Sequence, residues 1–112
     1  MKYRRGDRFG LPYTRQSLIH FLCQSYNQLP VRTQAKINGL CREADPVWHQ
    51  AVFAAVTTEQ RLLDVAEFYG GDSLSEASLY RRVERFYQIF NEQAEDCILR
   101  EGAEDEKRER RI

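Results

Sequence analysis

Residues 57–90 read TTEQRLLDVAEFYGGDSLSEASLYRRVERFYQIF, and the fold follows from how this stretch is parsed. Two segments with helical spacing flank the pair Gly70-Gly71. Side chains three and four apart stack on one side of an α-helix. On that rule Leu62, Leu63, Ala66 and Tyr69 mark the inward face of the first segment. In the second, Leu79, Val83, Phe86, Phe90 and Ala94 make an unbroken apolar face, with Tyr80 and Tyr87 at its edge. Thr57-x-x-Gln60 and Ser73-x-x-Glu76 have the spacing of a capping box, in which two side chains satisfy each other's orphan amides. They predict the starts of the two helices. Gly70-Gly71 predicts a left-handed stop between them, and the second helix is expected to run to about Leu99.

Upstream, Thr14 is the expected cap of a first helix reaching about Leu29, with Leu18, Leu22, Tyr26 and Leu29 on one face and Ile19 beside them. Pro30 ends it. A second helix, from about Arg32 to Ala44, places Ile37, Leu40, Cys41 and Ala44 on one stripe. Gly39 weakens that helix by about 1 kcal/mol relative to Ala unless a neighbour needs the close approach. In Asp45-Pro46 the Asp is an N-cap and the Pro a first helical residue. The third helix, Pro46 to Val56, is apolar on most of its circumference, which predicts a central, buried position. No segment alternates as a strand does. The fold class is therefore all-α: a compact bundle of about five helices, with a helix-turn-helix-like pair in the C-terminal half. Residues 1–13 read as a basic arm, 14–99 as a single helical domain and 100–112 as a charged, mobile tail.

A chain of 112 residues with 42% apolar and 30% charged side chains has the composition of one soluble globular domain. Its formal net charge is zero, so the whole-chain balance does not point to nucleic acid, but the charges are unevenly spread. Lys2, Arg4, Arg5, Arg8 and Arg15 make the start basic, while the stretch from Glu92 to Glu106 is acidic. Cys23, Cys41 and Cys97 form neither a CxxC nor a zinc spacing with His20 or His49, which predicts buried, reduced thiols and no metal. There is no apolar run of membrane-spanning length and no signal-peptide core, so a cytoplasmic protein of bacterial, phage or similar type is expected. No nucleophile–base–acid set and no phosphate-binding glycine loop occurs, so the chain reads as a non-enzyme without cofactor.

The last long helix carries the functional pattern. With Leu79, Val83, Phe86 and Phe90 inward, Ser78, Arg81, Arg85 and Gln88 fall on the opposite side, and Arg82 at the margin. A row of hydroxyl, guanidinium and amide groups suits a major groove, where Arg reads guanine and Gln reads adenine. Ser75, Glu76, Ser78 and Arg81, near the start of the helix, are the expected base readers; Arg82 and Arg85 are expected on phosphates. Arg4 and Arg5 of the arm are candidate backbone or minor-groove contacts.

The segment from Leu74 to Val83, LSEASLYRRV, resembles the VSxxTLYRxV recognition-helix segment of many bacterial and phage regulators. Ala66-x-x-x-Gly70 is similar to the alanine and turn glycine that precede it. The resemblance extends to small sigma-region-4-like regulators of phages and mobile elements and is confined to residues 57–90. It implies transcriptional control through double-stranded DNA. The chain departs from that pattern in the extra Gly71-Asp72-Ser73, which lengthens the turn, and in Asp72, Glu76 and Glu84, which bring negative charge towards DNA.

A second function class fits the same composition. A small helical protein of phage type can act as an inhibitor or adaptor, anti-defence or anti-CRISPR-like, binding a host protein complex through a helical or acidic surface. Under either reading Phe86, Tyr87 and Phe90 offer an apolar surface for a homodimer.

Overall fold

The computed structural model describes residues 11–93, and these form an all-α fold. Helix α1 spans Tyr13–Gln24, α2 Val31–Ala44, α3 His49–Thr57, α4 Leu62–Gly70 and α5 Glu76–Ile89, with single 3₁₀ turns at Tyr26–Gln28 and Gly71–Ser73. The start of α1 is set by a proline and not by Thr14: Pro12 stands in extended backbone (φ −59°, ψ 149°) and its carbonyl accepts the first helical bond, from the Gln16 amide at 3.0 Å. Pro30 does the same for α2, at φ −57° and ψ 149°, with the Gln34 amide on its carbonyl at 3.0 Å. A ring that fixes φ and an extended ψ feed the chain into a helix without any side-chain cap.

Helix α1 stops earlier than its apolar spacing predicts, because α2 takes hold of Tyr26. The Gln34 amide donates to the Tyr26 carbonyl at 2.8 Å, and the Asn38 amide to the Tyr26 hydroxyl at 2.6 Å. The chain tightens into one 3₁₀ turn there, and the Tyr26 ring stands edge-on to Phe53 with centroids 4.8 Å apart. At the far end of α3, the Gln24 amide donates to the carbonyls of Val56 (3.0 Å) and Thr58 (3.3 Å). These are carbonyls a helix end leaves without intrahelical partners.

Helix α3 is the centre of the bundle, as its composition requires: Ala51, Val52, Ala54, Ala55 and Val56 are buried, and α1, α2, α4 and α5 all pack on it. Helix α5 in turn lies across α2, α3 and α4. Its inward face holds Leu79, Val83, Phe86 and Phe90 at 0% exposure, with Tyr87 at 1%. Tyr87 is thus a core residue, not an edge one. This overturns the expected dimer surface, since Phe86, Tyr87 and Phe90 are spent on the core of a single chain.

Both capping boxes are also corrected. The Thr57 hydroxyl turns back to the Phe53 carbonyl (2.7 Å) and Thr58 to the Ala54 carbonyl (2.5 Å), so they close α3 instead of opening α4. Helix α4 begins after extended Arg61. Its buried residues are Val65 and Ala66, whereas Leu63 and Tyr69, expected inward, are 42% and 38% exposed. For α5 the cap is Ser75, whose hydroxyl accepts the Ser78 amide at 3.1 Å. Ser73 is displaced from that role because extended Leu74 first drops into the core at 3% exposure. Beyond Ile89 the helix widens into a π turn over residues 90–93; the rest of the expected run to Leu99 lies outside the described residues, as do residues 1–10 of the arm, the tail, Cys97 and Ile98. The last three residues expected in the arm join the fold: Leu11 is buried and Tyr13 opens α1.

Candidate nucleic-acid interface

Helices α4 and α5 pack on one another and on α3, so the predicted helix, turn and helix are present as a unit. The two glycines of the turn serve different needs. Gly71 ends α4 at φ +54°, a backbone region that a side chain makes costly, and its amide closes on the Glu67 carbonyl. Gly70 has an ordinary backbone but no room: a Cβ there would stand 2.2 Å from the Leu74 Cβ. That close approach lets buried Leu74 sit under the turn and fixes where Ser75 starts α5.

On α5, Arg81, Arg85 and Gln88 are exposed on the side away from the buried stripe, as the helical wheel predicts. Ser75 is exposed too, but its hydroxyl is engaged as the cap of the helix. Ser78 is half-buried. Glu76 lies in the first turn, where a carboxylate is favoured by the positive end of the helix dipole. Glu84 is half-buried, off the Arg81–Arg85 line.

Arg82 stands apart from its neighbours. Its Nε donates to Asp45 Oδ2 at 2.6 Å, and its Nη1 donates to the Ser78 carbonyl at 3.0 Å and to the Ser78 hydroxyl. The side chains of Arg82 and Asp45 are 28% and 16% exposed. The other Asp45 oxygen accepts the amides of Val47 (2.8 Å) and Trp48 (2.9 Å). The expected helix start at Asp45-Pro46 is corrected: Asp45 caps a turn over residues 46–48, and α3 starts only at His49, with Trp48 as its N-cap and no side-chain cap. The second Asp45 oxygen pins α5 to the α2–α3 junction. The expected phosphate contact of Arg82 and base contact of Ser78 give way to this internal clamp. The sequence marks Asp45 as a cap but carries no sign of its partner thirty-seven residues away.

Partial burial opposes ionisation of Asp45, but the Trp48 and Val47 amides and the Arg82 guanidinium outweigh it and hold its carboxyl below the ordinary value. Arg4 and Arg5 lie outside the described residues. Among the described residues no group of three or more His, Cys, Asp and Glu side chains is placed to hold a metal, and no helix is long and apolar enough to cross a membrane.

Comparison of the chain with protein-family models, with curated proteins and with solved structures finds no match. The functional reading therefore stands on the residues themselves.

Three features depart from the sequence reading or lie outside it. Phe68 on α4, not among the residues expected inward, is 82% exposed, and its ring meets Tyr69 edge-on at 5.0 Å. On α1 the expected inward Leu18 is 41% exposed and Phe21 67%, because Gln16, Ile19 and Cys23 take the core-facing side instead. Between α2, α3 and α4 lies an open pocket of about 250 Å³, assembled from residues that no linear motif connects.

Proposed function

We propose that the protein is a DNA-binding transcriptional regulator of phage or mobile-element type, meeting the major groove with α5. The observation that carries this reading is the row Arg81, Arg85 and Gln88, exposed along the outer side of a helix whose inner side is fully buried. A rigid helix presenting guanidinium and amide groups matches what base edges and phosphates accept. Arg81 lies nearest the helix start and reads bases; Arg85 and Gln88 follow along the groove. Arg82 and Ser78 hold α5 in place and do not touch DNA. Ser75 contributes through the helix N-terminus it caps, and the positive charge of Arg4 and Arg5 suits them to DNA backbone contacts.

The test is an anisotropy titration of a labelled random-sequence duplex at low and moderate salt, with the native chain and an Arg81→Ala/Arg85→Ala variant. The expected result is binding that weakens as salt rises, because phosphate contacts release counterions, and a loss of about tenfold or more in the variant. No binding by the native chain at low salt, or unchanged binding by the variant, overturns the reading.

A second reading is favoured by Phe68, Phe21 and Leu18: an inhibitor or adaptor of a host protein complex, docking through exposed apolar helix surface. It predicts that Phe68→Glu abolishes partner binding while leaving the fold intact, and that Arg81→Ala/Arg85→Ala has no effect on it.

A further inference from the structure

The α2–α3–α4 pocket belongs to none of these surfaces. Asn38 and Arg42 line it from α2, His49, Gln50 and Phe53 from α3, and Tyr69 from α4, with buried Cys41 at its edge. Its polar groups are unevenly matched. The Asn38 amide nitrogen is already committed to the Tyr26 hydroxyl (2.6 Å) and the Gln34 carbonyl (3.1 Å), which leaves its carbonyl oxygen as an acceptor. Arg42 brings five N–H donors on a permanent cation, and His49 and Gln50 bring further donors. Among the described residues no carboxylate lines the pocket. Among the same residues ion pairs join Arg61 to Asp64 and Arg82 to Asp45, and the Arg42 charge faces the pocket and solvent. Two aromatic rings, Phe53 and Tyr69, complete the lining, and Phe53 is held in place by its edge contact with Tyr26.

A cationic fork beside two aromatic rings, with no carboxylate among the described lining residues, favours a small planar anion with one ring, seated with its charge on Arg42 and away from the Asn38 carbonyl oxygen. We infer that this pocket is a ligand site for a small aromatic carboxylate, its carboxylate on Arg42 and its ring between Phe53 and Tyr69. The volume of about 250 Å³ accommodates a single ring with its carboxyl group. The inference does not depend on what α5 binds, since no pocket residue belongs to α5.

Benzoate is the probe, with benzamide as its uncharged isostere, followed by amide chemical shifts of the ¹⁵N-labelled full chain. Benzoate is expected to shift residues 38–42, 49–53 and 69 saturably, with a Kd of about a millimolar for so small a ligand. Benzamide and an Arg42→Gln variant are each expected to bind about tenfold more weakly, the loss of one charge-assisted contact. Arg42 is exposed, and the dispersion of the variant's spectrum reports whether it is folded. Absence of saturable shifts, equal affinity for benzamide, or undiminished binding by folded Arg42→Gln overturns the inference.

Discussion

The Asp45 carboxylate shows how much one side chain can hold together: two backbone amides at the head of α3 and a guanidinium from α5. Its carboxyl is held below the ordinary value, so the folded state favours the ion. The stability this contributes is present above the unfolded pKa of about 3.9, and it is lost as pH falls through the lower folded value. Thermal melts across that acid range are expected to show a pH dependence that Asp45→Asn flattens. At neutral pH, Asp45→Ala is expected to cost about 1–3 kcal/mol by chemical denaturation, from the lost cap and an orphaned, partly buried Arg82. The thiols are the opposite case. Burial pushes Cys41 up to about 12, and burial, with the neighbouring Cys41 charge as a smaller cause, pushes Cys23 higher still. Neither is a nucleophile at neutral pH. Mass spectrometry after brief iodoacetamide treatment is expected to find both unmodified in native protein and both alkylated in denaturant.

At the scale of the elements, the faces of α2, α3 and α5 were legible, while those of α1 and α4 were legible only in part: Leu18, Leu63 and Tyr69, expected inward, are exposed. Many of the helix boundaries were not legible. Leu79, Val83, Phe86 and Phe90 announce their burial by spacing alone, and so does α3 by being apolar nearly all round. Caps are decided by competition between nearby groups. Ser73 and Ser75 both suit the start of α5, and the core's demand for Leu74 chooses between them. Thr57 and Thr58 suit the start of α4, yet their hydroxyls find the last turn of α3 first. The glycines show the same dependence on context. A Cβ at Gly39 meets nothing within 4 Å, so Gly39→Ala is expected to stabilise α2 by about 0.5–1 kcal/mol, read as a rise in Tm. Gly70→Ala is expected to destabilise by about 1–3 kcal/mol, because Leu74 and the turn must move. Gly71→Ala is expected to cost about 1–3 kcal/mol for the backbone alone, which stands at φ +54° and ψ −126°, a region few side chains tolerate.

On the scale of the whole molecule, α5 has an inner face that completes the core and an outer face left to solvent. The sequence shows that division for Arg81, Arg85 and Gln88, whose positions follow from the helix period. It does not show that Arg82, one residue on from Arg81, is claimed by Asp45, because the clamp depends on how α5 crosses the α2–α3 junction. Nor does it show the pocket, whose lining comes from three helices. The central claim is that the outer face of α5 is where the protein meets duplex DNA. The most direct measurement is the amide chemical-shift map of the ¹⁵N-labelled full chain on adding a short duplex at low salt. Changes concentrated on residues 75–88, strongest at Arg81 and Arg85 and reversed by added salt, are the predicted result. Changes centred on Phe21 or Phe68, or none at all, would contradict it.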